Sequence, residues 1–234
     1  MIARQLIAAA ALAVTSTTLS AQNVGSMPEQ SAFRDVEKRQ GLAILAGPVF
    51  GGKDRAGAAP RGGMAVGVRY DVPLGASPLA FTSTLMRQSS KRDVLQPGQP
   101  LANRIGGTVS EPLWMLDAAF TLLLTGNRSW HSLVPGITLG AGIVAGSSSV
   151  TDSSNFKFGN RFAPTGGLSL RYAPVRSRWT VRADLTSRMY SVPFPQSFRD
   201  STPGIPRIVG VNSKNDWVIN TMLTLGLVRE IGRR

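Results

Sequence analysis

The chain has 234 residues, enough for one domain or for one domain with a tail. It contains no Cys, which excludes disulfide staples, a lipoprotein anchor, thiol nucleophiles and thiolate metal sites. Its 26 Lys and Arg residues against 13 Asp and Glu give a formal charge of +13, which favours an anionic partner or reflects a generally basic composition.

Residues 1–21 have the layout of a cleaved secretory signal peptide. Arg4 precedes the apolar run LIAAAALAV (6–14), and small, mostly polar residues lead to Ala21. The run has nine residues, whereas a membrane-spanning helix needs roughly 20. An uncleaved anchor helix is the alternative. Because we expect export, and because there is no nucleic-acid-binding motif, the basic charge points to lipopolysaccharide and not to nucleic acid.

Residues 22–40 are polar, mixed in charge and without a clear period, and predict an N-terminal linker. In the remaining domain, 41–234, apolar and polar residues alternate in eight segments, which predict strands with one apolar and one polar face. The eight segments are Leu42–Phe50, Met64–Val72, Leu79–Gln88, Trp114–Leu124, His131–Ala145, Phe162–Tyr172, Arg178–Val192 and Trp217–Ile231. The alternation is strictest in Met64–Val72, while Leu45 and Val49 break it in the first segment.

Short and long connections alternate between these segments. The short ones are 73–77, 125–129 and 174–177, and the long ones are 51–63, 89–112, 146–161 and 191–216. This pattern predicts an all-β fold: an eight-stranded antiparallel up-and-down transmembrane β-barrel with short periplasmic turns and long external loops. A β-sandwich and a soluble barrel of lipocalin type are the alternatives, since alternation alone does not tell the inside from the outside.

Two features favour the membrane barrel. The segments are about ten residues long, as a tilted crossing requires. Aromatic residues lie on the apolar face near segment ends, as in the interfacial girdles of membrane barrels. These aromatics are Tyr70, Trp114, Tyr172, Trp179 and Trp217. The apolar, lipid-facing positions are then even-numbered in the second, fourth and sixth strands, and odd-numbered in the fifth, seventh and eighth.

Several stretches resemble the later hairpins of small outer-membrane β-barrel proteins. They are GITLGAGIVAG (136–146), RFAPTGGLSLRY (161–172), RWTVRADLTSRMY (178–190) and WVINTMLTLGLV (217–228). The resemblance is to the class of OmpA-like, OmpX-like and OmpW-like domains, covers roughly residues 42–231, and implies localisation in the outer membrane. That class usually ends in an aromatic residue read by the barrel-assembly machinery. Here Ile231 is the last apolar-face residue and stands in the place of that aromatic.

Charged residues fall on the polar face of the predicted strands. They are Arg69, Asp71, Asp117, Arg171, Arg182, Asp184 and Arg188. Inside a closed barrel these charges must pair, since an isolated charge is costly to bury. Eight strands leave an interior just wide enough for side chains, so an interior plug of ion pairs is favoured over a polar conduit or proton path.

Nothing in the sequence predicts catalysis, a metal site or a cofactor. His131 is the only His, and its neighbour Ser132 is expected to point to the opposite face of the same strand, which argues against a Ser–His pair. A lone His also argues against zinc.

The sequence predicts a monomeric outer-membrane protein with a structural or surface-interaction role. A narrow channel or carrier for small amphiphiles, a soluble periplasmic lipid-binding barrel, and an enzyme acting on envelope lipids are the alternatives. Contact with lipopolysaccharide is assigned to cations of the external loops. These cations are Lys53, Arg55, Arg61, Lys91, Arg92, Arg104, Lys157, Arg199, Arg207 and Lys214.

Overall fold

A computed structural model describes residues 31–146, 156–174, 177–201 and 203–232. The predicted signal peptide, 1–21, and residues 22–30 of the predicted linker lie outside these ranges. Arg34–Arg234 form one compact unit. No helix within the described ranges is long and apolar enough to cross a membrane.

Eight long antiparallel strands form a closed barrel. They are β2 (Gln40–Phe50), β3 (Gly63–Pro73), β4 (Leu79–Ser89), β7 (Leu113–Leu123), β9 (Leu133–Gly146), β10 (Asn160–Tyr172), β11 (Trp179–Pro193) and β12 (Asn215–Ile231). Each pairs with the next in chain order, and β12 pairs with β2 to close the ring, for example at Leu227 opposite Ile44. The predicted eight-stranded antiparallel barrel is thus confirmed.

Four shorter strands and two 3-10 turns complete the described structure. The strands are β1 (Phe33–Asp35), β5 (Lys91–Leu95), β6 (Ile105–Ser110) and β8 (Arg128–Trp130), and the 3-10 turns are Leu101–Asn103 and Gln196–Phe198. β5 and β6 form a separate hairpin in the long connection between β4 and β7, where the sequence predicted an external loop and no strand. The connection between β7 and β9 was predicted as a tight turn at 125–129. It runs from Leu124 to Ser132 and contains β8.

The three shorter connections lie at the end of the barrel where β2 begins and β12 ends, since Gln40 is paired with Ile231. The four long connections lie at the other end. For brevity we call these the short-loop end and the long-loop end. The alternation that the sequence predicted is present, with both ends of the barrel domain at the short-loop end.

The apolar face of the strands points outward. On β12, for example, Trp217, Ile219, Leu223, Leu225 and Leu227 are exposed, whereas Val218, Asn220, Met222, Thr224 and Val228 are buried. This orientation is the opposite of the lipocalin-type alternative, in which the apolar face would line an internal cavity. Strand β2 follows the same rule without a break, because Leu45 and Val49 both face the interior.

Candidate functional site

The centre of the barrel holds four charged side chains that pair with one another. Arg182 donates to both oxygens of Asp184, from Nε and Nη2 at 2.7 Å each, and from Nη1 to Asp71 Oδ2 at 2.6 Å. Arg69 donates from Nε to Asp71 Oδ1 at 2.8 Å and lies 3.7 Å from Asp184. Two guanidinium groups and two carboxylates thus form a neutral network, which we call the central quartet.

Hydroxyl groups extend this quartet to strands β4, β7 and β9. Arg69 Nη2 donates to Thr82 Oγ1 at 3.1 Å and to Thr121 Oγ1 at 3.0 Å, and Thr121 shares a hydrogen bond of 2.9 Å with Thr138. A buried ion pair stabilises a fold only when its remaining donors and acceptors are satisfied. The threonines on these inward faces satisfy donors of Arg69 that the carboxylates do not reach.

A second ion pair lies closer to the long-loop end. Arg188 Nε lies 3.0 and 3.2 Å from the two oxygens of Asp117, and Arg188 Nη2 also donates to that carboxylate. Both side chains are buried. Gly142, on the neighbouring strand β9, provides the space, because a Cβ atom there would overlap Asp117 Oδ1 and the Leu116 carbonyl oxygen.

The seventh predicted charge, Arg171, lies nearer the short-loop end and is less buried. Its Nη1 is 3.9 Å from Glu230 Oε1, and its side chain is 21 % exposed. The structure therefore places all seven predicted residues on the inward face, in three groups. Glu230 was missed by the sequence analysis, although it shares the inward parity of Thr224 and Gly226 on β12.

A small cavity adjoins both the central quartet and the Arg188–Asp117 pair. Its volume is about 20 Å³, and its walls include Asp117, Asp184, Thr165 and Thr224. The hydroxyl oxygens of Thr165 and Thr224 are buried and have no protein partner. A space of this size is roughly enough for one water molecule, which would supply the missing hydrogen bonds.

The long-loop end is closed by an apolar cluster that the sequence analysis did not predict. Phe156 stacks on Phe198 at a centroid distance of 6.3 Å, Phe194 packs on Phe198 at 6.1 Å, and Phe158 meets the edge of Tyr190 at 5.5 Å. All five rings are buried. Four of them belong to the long connections, which were predicted as external loops. The repeated Phe in those connections was the only available signal.

Two basic residues assigned to lipopolysaccharide contact are instead buried at the long-loop end. Arg92 is buried, donates to Glu111 Oε2 at 3.1 Å and lies 5.0 Å from the Phe156 ring centroid. Arg104 is also buried and donates to the Pro206 carbonyl oxygen. The expectation that these two side chains contact an external surface was therefore wrong, because each neutralises or caps a buried acceptor.

Residues 34–39 of the predicted linker lie against the short-loop end. Lys38 Nζ donates to the carbonyl oxygens of Gly75 and Ser77 at 3.0 and 2.9 Å, and Val36 N donates to Asn127 O at 2.9 Å. Val36 and Lys38 also line a cavity of about 60 Å³ whose inner wall includes Arg171. The chain before β2 therefore contacts the barrel.

His131 and Ser132 lie outside the long strands of the barrel. His131 and Ser132 form a turn with positive φ angles of 49° and 66°, and strand β9 begins after them. The prediction that both lie in one strand was wrong, because this turn separates β8 from β9. Within the described ranges there is no group of three or more His, Cys, Asp or Glu side chains that could hold a metal ion.

The outer surface carries a belt of exposed apolar side chains bounded by aromatic residues. Tyr70, Tyr172 and Trp179 are exposed near the short-loop end, and Trp114 and Trp217 near the long-loop end. From Trp217 to Leu227 the belt covers ten residue steps of β12, which is roughly 33 Å along the strand and about 25 Å along the axis at the usual tilt. That height matches the hydrocarbon-facing band of membrane barrels.

The closed ring, the apolar belt and the charged interior define the class: an eight-stranded β-barrel built to face lipid. The chain matches no family model and no curated protein. Among solved structures it is similar to a major outer membrane protein from Thermus thermophilus, with 15 % identity, a TM-score of 0.46, and coverage of 82 % of this chain and 99 % of that one. It is also similar to the outer membrane enzyme PagL, with 12 % identity, a TM-score of 0.40 and the same coverage.

Proposed function

We propose that this chain is exported and inserts into the bacterial outer membrane as a closed barrel with a structural or surface-interaction role and no catalytic activity. The observation that carries the proposal is the contrast between its two faces. The outside exposes an apolar belt of membrane height, and the inside is occupied by paired charges and, at the long-loop end, by packed rings. An exposed apolar surface of this extent needs a partner, and lipid covers it on all sides.

The partners of this proposal are outer-membrane lipids, with lipopolysaccharide in contact with exposed cations at the long-loop end. Insertion would proceed through the barrel-assembly machinery. A closed barrel has no unpaired strand edge, which supports a monomer.

Envelope fractionation combined with an unboiled detergent gel tests the proposal. We expect the protein in the outer-membrane fraction, with a gel mobility that changes on boiling because the closed barrel resists detergent until heated. Recovery in the soluble periplasmic fraction would contradict it. In planar bilayers the purified protein should be electrically silent.

A carrier for small amphiphiles is the second candidate. Its support is the cavity of about 60 Å³ at the short-loop end, where Leu79 and Val134 lie beside Arg171. Reproducible single-channel conductance, or retention of a small amphiphile through purification, would favour this candidate over the closed structural barrel.

A further inference from the structure

Three cations form a cluster on the outer face of the barrel at the edge of the apolar belt. Arg87 points outward from β4, one outward position beyond Leu85, and is paired across the sheet with Trp114. Its guanidinium lies 5.7 Å from the Trp114 ring centroid. The alternation of exposed and buried residues continues to Lys91, which is also exposed.

Arg61 completes the cluster from the neighbouring connection. Its backbone N–H donates to the Lys91 carbonyl oxygen at 2.8 Å, so that the two residues are adjacent, and its side chain is exposed. We call Arg61, Arg87 and Lys91 the rim cluster. All three side chains reach solvent at the level where the apolar belt ends on strands β3, β4 and β7.

The two carboxylates near the rim cluster pair with arginines other than Arg87, and one of them neutralises Arg61. Asp93 and Glu111 are buried, Asp93 accepts from Arg61, and Glu111 accepts from Arg92. Within the described part of the chain, the side chains of Arg87 and Lys91 make no ion pair and no hydrogen bond. The outer face at this point therefore carries two cations without a counter-charge, next to an aromatic ring that holds one of them in place.

We propose that the rim cluster binds the phosphate group of an anionic lipid in the outer leaflet. This inference rests on the proposed membrane location, because only a lipid headgroup lies level with Trp114 and against the outer face of the barrel. Guanidinium groups bind phosphate through paired, charge-assisted hydrogen bonds. Lys91 adds a second unpaired cation, whereas the charge of Arg61 is already balanced by Asp93. Trp114 restricts the rotamers of Arg87 before binding, so that less side-chain entropy is lost when a phosphate binds.

Trp114 offers a direct test, since it lies at the site. In a variant with Trp130→Phe, Trp179→Phe and Trp217→Phe, Trp114 is the only Trp left to report quenching by bromine on lipid chains. The full-length barrel is refolded into phosphatidylcholine vesicles in which either phosphatidylcholine or an equal fraction of phosphatidic acid carries the bromine. From the quenching of Trp114 we expect a local enrichment of phosphatidic acid over phosphatidylcholine of about fivefold for each unpaired cation. High salt should weaken this preference.

Arg87→Gln combined with Lys91→Gln should bring the preference down to that of phosphatidylcholine. The matched control removes two exposed cations at the short-loop end, through Arg34→Gln with Arg178→Gln, and should leave the preference unchanged. Equal loss in both double variants would overturn the site, because it would show a general charge effect. A retained heat-dependent gel shift verifies that each variant is folded.

The outcomes separate this site from the proposed function. If bromine on phosphatidylcholine fails to quench Trp114, the outer face does not meet lipid and the membrane proposal itself is wrong. If brominated phosphatidylcholine quenches Trp114 as strongly as brominated phosphatidic acid does, only the lipid-phosphate site is overturned. If inorganic phosphate removes the excess at an ionic strength where chloride does not, the cluster binds soluble phosphate and the lipid assignment is wrong.

Discussion

Arg182 and Asp71 are 111 positions apart in sequence and lie on strands β11 and β3, which are separated by two other strands, yet Arg182 Nη1 is 2.6 Å from Asp71 Oδ2. Arg182 also holds Asp184 on its own strand through two hydrogen bonds. One guanidinium therefore ties two distant parts of the ring together across the interior. The charged side chains on the inward face therefore link strands that are not neighbours in the sheet.

Arg182→Met should destabilise the barrel strongly. The substitution keeps most of the side-chain volume but leaves two buried carboxylates with Arg69 as their common partner, and breaking one side of a buried pair typically costs about 3–5 kcal/mol. Urea unfolding of the barrel in lipid vesicles, followed by Trp fluorescence, measures the change. Arg207→Met, at an exposed position, is the control and should have little effect. A loss below about 1 kcal/mol for Arg182→Met would mean that the quartet does not brace the ring.

Gly142→Ala should also destabilise the barrel, through space and not through charge. The new Cβ would overlap the Asp117 carboxylate and the Leu116 carbonyl oxygen, and overpacking of this kind costs about 1–3 kcal/mol. Gly166→Ala is the matched control, because a Cβ there points outward and meets its nearest atom, Leu139 Cδ2, at 3.5 Å. The same unfolding measurement on both variants decides the matter. Equal stability of the two would show that Asp117 moves freely.

The outward and inward faces could be predicted from sequence because a strand places alternate residues on opposite sides. Met64, Val66 and Val68 point outward as that rule requires. The pairing partner of each inward charge could not be predicted, since it depends on register and on closure of the ring. Nothing local to Asp71 indicates that Arg182, and not Arg171 or Arg188, is its partner.

The apolar closure at the long-loop end was missed for a different reason. Phe156, Phe194 and Phe198 lie in connections that have no hydrophobic period, and periodicity is the main signal that a single sequence provides. Their burial depends on contacts between separate connections. The same limitation concealed the β5–β6 hairpin, whose Gly106 and Gly107 are more typical of a loop.

Leu223→Arg should be much more damaging than Asn215→Arg, although both side chains point outward from β12. Leu223 lies in the middle of the apolar belt, where Arg costs about 2–4 kcal/mol, whereas Asn215 lies at its edge, where the cost is about 0–1 kcal/mol. Refolding yield and urea unfolding in vesicles give the two values. A soluble protein would show no such dependence on position along the strand, so equal costs would contradict the lipid-facing belt.

Thr224→Val should lower stability by about 1 kcal/mol, the usual cost of a lost buried hydrogen bond. The Thr224 hydroxyl is buried without a protein partner and faces the cavity of about 20 Å³ beside Asp117 and Asp184. If a water molecule fills that cavity, it connects the hydroxyl to the charged groups, and the added methyl group removes one of its partners. If the cavity is dry, Val fits as well as Thr, and the variant is neutral or more stable.

Unfolding measurements on the variant distinguish the two cases, and a crystal structure at high resolution would show the water directly. Thr125→Val, whose hydroxyl oxygen is also buried and unpaired but lines neither this cavity nor the one of about 60 Å³, separates the effect of the water from that of burying any hydroxyl group.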